Sequence, residues 1–109
     1  MNYLHYAMAN PDCRSLALLD THIEAVTAFR GYLNDAMRFS LVVRAAQSEY
    51  AFFEGGILRF GYIGHEYDLM RYRGCEWHNV FVDKLNPKYR ESAVACLFKP
   101  VYNGRQNGV

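Results

Sequence analysis

The sequence has 109 residues and only three cysteines, Cys13, Cys75 and Cys96, an odd number with no close spacing. That excludes a disulfide framework and makes a reducing cytoplasm the expected location. No stretch approaches the ~18 uninterrupted apolar residues of a membrane span. The opening MNYLHYAMANPDC lacks both a basic n-region and a long apolar h-region, so no signal peptide is expected. Charge of one sign is missing too: twelve basic against eleven acidic residues leave a net +1, which argues against a generally basic nucleic-acid binder. Lysine is scarce, at Lys84, Lys88 and Lys99 alone. The remaining basic residues are arginines, which suit bidentate and stacked contacts, although a GC-rich coding bias gives the same pattern. No catalytic or cofactor motif is present, so the expectation is a protein that is not an enzyme and needs no cofactor.

What the chain does have is apolar and aromatic residues. At 51% hydrophobic and 21% charged it reads as a folded domain, and its length suits one core. Residues 1–100 are expected to form a single α+β domain, with 101–109 (VYNGRQNGV) a flexible C-terminal tail. Nine Tyr and seven Phe are many for this length, and seven of the sixteen fall in Ala51–Lys84. There, short aromatic and branched runs are punctuated by Gly55-Gly56, Gly64 and Gly74, the rhythm of an antiparallel meander turned by glycines.

Taken in order, Asn2–Met8 reads as an edge strand and Asn10-Pro11-Asp12 as a turn or helix start. Leu16, Leu19, Ile23, Val26, Phe29, Leu33 and Met37 recur at helical spacing. That helix starts either at Asp12 or at the capping box Thr21–Glu24, the second alternative leaving Arg14–Asp20 as a strand. Residues 21–37 are helical in both. Phe39–Arg44 and Glu49–Phe53 fit a hairpin around Ala45–Ser48, or else one helix stopped by Gly55; the adjacent Val42-Val43 favours strands. The meander continues through Ile57–Ile63, Glu66–Arg73 and Trp77–Lys84. Asn86-Pro87 opens a short closing helix with Tyr89, Ala93, Cys96 and Leu97 inside, ended by Pro100. The expected fold is therefore α+β, a meander of four to five strands packed on an amphipathic helix.

Alternation along those strands assigns Leu58, Phe60, Tyr62, Tyr67, Leu69, Val80 and Val82 to the core, under the helix around Ile23 and Val26. The opposite faces hold Ile57, Arg59 and Ile63, then Glu66, Asp68, Met70 and Tyr72, then Trp77, Asn79, Phe81 and Asp83. A sheet with a solvated back does not usually present so many large apolar groups. Either another element of the chain covers that face, or a partner does. Met70, Arg71, Tyr72, Trp77 and Phe81 are the expected partner-binding patch, since Trp, Tyr and Arg suit interface hot spots.

Other constellations are thinner. Cys75-x-x-His78 with His65 supplies half a zinc site, whose fourth ligand would have to be Cys96 or Asp83. Cys75, His78, Asn79 and Asp83, or His65-Glu66, hold the residue types of nucleophilic or acid–base catalysis without a nucleophile turn. Gly61-Tyr62-Ile63-Gly64, followed by Asp68-Leu69 and Arg71, resembles a fragment of the GIY-YIG nuclease motif over about a dozen residues. Here the arginine falls one position early, Tyr72 stands in its place, and no GIY strand lies upstream, so no family is assigned. Arg59, Arg71 and Arg73 alternate with Phe60, Tyr67 and Tyr72 as in a single-strand nucleic-acid surface, but Glu66, Asp68, Glu76 and Asp83 would oppose phosphate. The expected function is a small protein-binding module, an inhibitory or accessory factor of the phage or mobile-element type that blocks a partner's surface. The alternatives are single-strand nucleic-acid binding and, further off, a small metal-dependent enzyme. A homodimer through the same patch fits equally well.

Overall fold

The structure, a computed structural model, describes residues 3–97. Within them the elements are α1 (Tyr3–Ala9), β1 (Arg14–Leu19), α2 (His22–Arg38), β2 (Arg44–Ala46), β3 (Tyr50–Phe53), β4 (Gly56–Tyr62), a 3-10 helix (Glu66–Tyr72), β5 (Asn79–Phe81) and α3 (Pro87–Leu97). The class is α+β as expected, with four helices among the described residues. The sheet, however, is not an antiparallel meander. Its five strands run in the order β2-β3-β4-β1-β5, and β1 is parallel to both β4 and β5. Only β2-β3-β4 form an antiparallel run.

The reason lies in β1. Its sequence RSLALL is a continuous apolar run, buried from Ser15 to Leu19. A strand covered on both faces reads this way, and parallel neighbours with helices above and below provide the cover. On one face Ala17, Phe60, Leu58 and Ala51 pack with Leu4 of α1 and with Phe29, Tyr32 and Ala36 of α2. On the other, Leu16, Leu18 and Ile63 pack with Leu69 and Tyr72 of the 3-10 helix, Trp77, Leu85, and Ala93 and Leu97 of α3. The chain thus covers both sheet faces itself. The start of β4 is pressed against the 11–13 loop: the Ile57 amide donates to the Cys13 carbonyl at 3.0 Å. A Cβ on Gly56 would lie 2.5 Å from the Pro11 carbonyl oxygen, so a glycine is required there.

Several expectations are corrected. Residues 3–9 form a helix rather than an edge strand, with Tyr3 and Tyr6 edge-on to Phe81. Of the two starts for the long helix, Thr21 is the one used, its hydroxyl accepting from the Glu24 amide at 3.1 Å. The helix buries Ala25, Phe29, Tyr32 and Ala36, while Ile23 and Met37, placed in the stripe by the sequence reading, are exposed. Small alanines let α2 approach the sheet and turn its inward face by about one position. The hairpin around 45–48 is present, but Phe39–Val43 is not strand. Residues 66–72 form a 3-10 helix, and only 79–81 of the last expected strand pair, with β1. In α3, Ala93 and Leu97 are buried and Cys96 is exposed. The stop at Pro100 and the 101–109 tail lie outside the described residues.

Connecting β2 to β3, Gln47 and Ser48 have φ of 58° and 54°, and the Glu49 amide closes the turn on the Ala46 carbonyl at 3.1 Å. Two successive positive-φ residues favour Gly, Asn or Asp, so Gln-Ser is strained. Ser48→Gly is expected to raise stability by about 0.5–1 kcal/mol, the relief of strain exceeding the extra chain entropy lost by glycine. Thermal unfolding followed by circular dichroism checks it; the expected gain is roughly 3–6 °C for a domain of this size.

Candidate functional site

The five residues expected to form one docking patch do not share a surface. Trp77 is 3% exposed and Tyr72 2%, both enclosed by the cluster that α3 completes. The indole Nε1–H donates to the Tyr72 carbonyl at 2.9 Å, which satisfies its one polar atom inside the core. Phe81 is half-buried on β5 beneath Tyr3 and Tyr6. Only Met70 and Arg71 face solvent, on the 3-10 helix. Three residues per turn explain the split: Leu69 and Tyr72 point inward together, Tyr67 and Met70 outward together. Alternation by two, as in a strand, had put Met70 and Tyr72 on one side.

The 3-10 helix is fixed at its start by Asp68, whose Oδ2 accepts from the amides of Gly64 and His65 at 3.0 and 2.9 Å. Its Oδ1 accepts from Arg71 at 2.8 Å. Arg71 also stacks on the Tyr62 ring, its guanidinium carbon 4.6 Å from the centroid. Burial works against the Arg71 charge, yet the Tyr72 and Tyr62 hydroxyls outweigh it and hold its pKa above the ordinary guanidinium value. Arg59 of β4 lies over the rings of Tyr72 and Tyr50, at 4.7 and 5.0 Å, and pairs through Nε with Glu49. Burial pushes the Tyr72 phenol up, opposed by the Tyr62 amide it accepts from and by the two arginines. These guanidiniums occupy the tyrosine faces that a single-stranded base would stack on.

The half zinc motif does not converge. Cys75 is exposed, and the Nδ1 of His78 accepts the Arg14 amide at 2.8 Å, which fixes that ring to β1. No group of three or more His, Cys, Asp or Glu side chains suited to a metal occurs among the described residues. Nor is any helix among them long and apolar enough to cross a membrane.

A surface the sequence reading passed over lies where α2 gives way to β2. Here the helix ends with the Leu41 amide bonded to the Ala36 carbonyl and the Ser40 amide to that of Met37, with Ser40 at φ 58°. This is a Schellman stop with serine in the position glycine prefers. It presents Met37, Phe39 and Val42 outward, 73, 63 and 84% exposed. In the chain they precede β2, which bonds to β3 on one side and has no strand on the other among the described residues. From Met37 to Ser48 the only charges are Arg38 and Arg44, both exposed. The available signal was Phe39-Ser40-Leu41-Val42-Val43, an apolar run with too few inward partners to be wholly core.

Comparison with protein-family models, with curated proteins and with solved structures finds no match.

Proposed function

We propose that this protein is a small non-enzymatic protein-binding module that docks an extended segment of a partner onto the free edge of β2. Acting this way it would serve as an inhibitory or accessory factor, masking the strand it captures. The observation that carries the reading is that three exposed large apolar side chains stand in the segment leading directly into β2, the outermost strand of the sheet among the described residues. Such an edge is a template for strand addition, in which main-chain bonds supply affinity and alternate side chains specificity. Arg38 and Arg44, with no acidic residue between 36 and 48, select a strand that alternates acidic and apolar residues. The same charges disfavour a second copy of this chain, whose edge would bring arginine against arginine. The exposed face of the 3-10 helix is a weaker choice, because His65 already stacks on Tyr67 and Asp68 already neutralises Arg71.

The test uses a synthetic peptide of alternating Glu and Val, about eight residues long to exceed a typical strand, and its Lys/Val counterpart. Titrated into isotope-labelled protein, the acidic peptide is expected to shift the amides of 42–46 saturably and to slow their hydrogen exchange. The basic peptide should do neither. Phe39→Ser with Val42→Ser should weaken binding at least tenfold while the thermal midpoint holds within a few degrees. No saturable change at β2 up to about 1 mM peptide would sink the strand-addition reading. Concentration-dependent self-association at that edge would replace it with a homodimer. Steeply salt-dependent binding of an oligothymidine there would replace it with the nucleic-acid reading.

A further inference from the structure

On the other side of the Gln47–Glu49 turn from the β2 edge, a cleft of about 200 Å3 opens between that turn, the start of α2, β4 and the 3-10 helix. Its apolar lining comes from Ala25 and the half-buried Val26, with the buried Phe60 beneath. Its polar lining includes His22, Ser48, Glu49, Arg59 and Arg71. Arg59 is the unusual member, its side chain only 13% exposed, clamped between two tyrosine rings. A guanidinium has five N–H donors. Among the described residues only the Nε–H of Arg59 is engaged in a hydrogen bond, by Glu49. The other N–H donors of Arg59 have no hydrogen-bond partner among the described residues. Arg71 also lines the cleft, while Asp68, its ion-pair partner at 2.8 Å, does not. Glu49 pairs with Arg59 and Asp68 with Arg71, two negative groups against two positive, so the cleft offers free guanidinium N–H donors rather than a net charge.

We propose that this cleft binds the oxyanion of a small ligand with an apolar body, a carboxylate or a phosphate monoester, seated between Arg59 and Arg71. Partly desolvated guanidiniums form shorter and stronger charge-assisted hydrogen bonds than exposed ones, and their planar forks match both oxyanions. The tyrosines under the two arginines fix the forks before any ligand arrives, so little side-chain order is lost on binding. Val26, half-buried in the lining, receives the ligand's apolar body. The strained Gln47-Ser48 turn forms part of the rim, where positive-φ residues outside glycine often mark a binding site.

The site is independent of the β2 edge and is tested separately. Benzoate, phenyl phosphate, inorganic phosphate and benzylamine are titrated into labelled protein. Benzoate or phenyl phosphate is expected to shift the amides of His22, Ser48, Tyr62 and Arg71 saturably, and the tighter of the two identifies the oxyanion. Benzylamine, the cation of similar shape, should leave those amides unmoved. Inorganic phosphate should bind more weakly, lacking contact with Val26. Arg71→Gln, at an exposed position that tolerates change, should weaken binding at least tenfold, and Arg71→Lys should restore part of it. Should Arg71→Gln fold poorly, His22→Ala on the exposed start of α2 serves instead, with a severalfold loss expected. The proposal falls if neither aromatic anion saturates below about 10 mM, if benzylamine perturbs the same amides, or if both substitutions leave the affinity unchanged.

Discussion

Trp77→Ala is expected to unfold the domain, or nearly so, rather than to cost it a binding partner. The indole is 3% exposed and sits among Leu16, Leu18, Leu69, Tyr72, Leu85, Ala93 and Leu97. On one face of the sheet it packs between the 3-10 helix and α3, so its removal leaves a cavity that β1 and both helices border. Truncating a buried Trp typically costs about 3–5 kcal/mol. The Tyr72 carbonyl would also lose the Nε1–H it accepts, which adds roughly 1–3 kcal/mol if nothing replaces it. Against the roughly 5–15 kcal/mol of a typical domain this is a large share. A urea titration followed by circular dichroism should show the midpoint fall by at least half. A surface role for the indole would leave the midpoint where it was. Trp77→Phe, which refills most of the volume, should recover much of the loss while leaving the carbonyl unpaired.

That contrast shows where sequence reading reached and where it stopped. The capping box at Thr21 and the helical spacing after it found α2, because both are local signals with a local cause. The inward face of α2 was harder to see, since it is made partly of Ala25 and Ala36, which score weakly as hydrophobic. Leu16–Leu19 belongs to β1 but matches helical and strand spacing equally over so short a run. With β1 undecided, its parallel pairing with β4 and β5 could not be inferred, because the partners lie more than 40 residues away. The Glu66–Leu69 stretch alternates polar and apolar residues as a strand does, before Leu69 and Met70 break the pattern. Its real period became legible only in Asp68, whose carboxylate binds the two amides before the helix. Trp77 was read as a docking residue, because burial by a distant helix and exposure to a partner select the same residue type; the structure buries it. The β2 edge was missed for the opposite reason: Phe39 and Val42 look like core until the strand order puts β2 outermost.

Gly61→Ala is expected to produce the second large effect, and it tests how the cleft is built. A Cβ at Gly61 would fall 2.5 Å from both Cζ and the hydroxyl of Tyr72 and 2.6 Å from Cε1, closer than real side chains approach. The phenol cannot simply swing away. Its oxygen accepts from the Tyr62 amide at 2.9 Å and lies 3.3 Å from the Tyr62 carbonyl, and its ring carries Arg59 on one face. Forcing it out breaks the hydrogen bond to the Tyr62 amide and shifts the 3-10 helix by way of its last residue. Overpacking a closed core costs typically 1–3 kcal/mol, and a rigid, bonded neighbour puts this case near the top, at about 3 kcal/mol. The Gly61→Ala, Tyr72→Leu double variant should lose less than the sum of the two single changes, because the smaller side chain makes room for the methyl. A coupling energy of at least about 1 kcal/mol in that cycle would establish the contact; additive losses would show that Gly61 matters through its backbone alone. Ligand titrations on the single variant then separate stability from geometry. If Tyr72 holds Arg59 and Arg71 in place, folded Gly61→Ala protein should bind the aromatic oxyanion at least tenfold more weakly, and peptide capture at β2 should be unchanged.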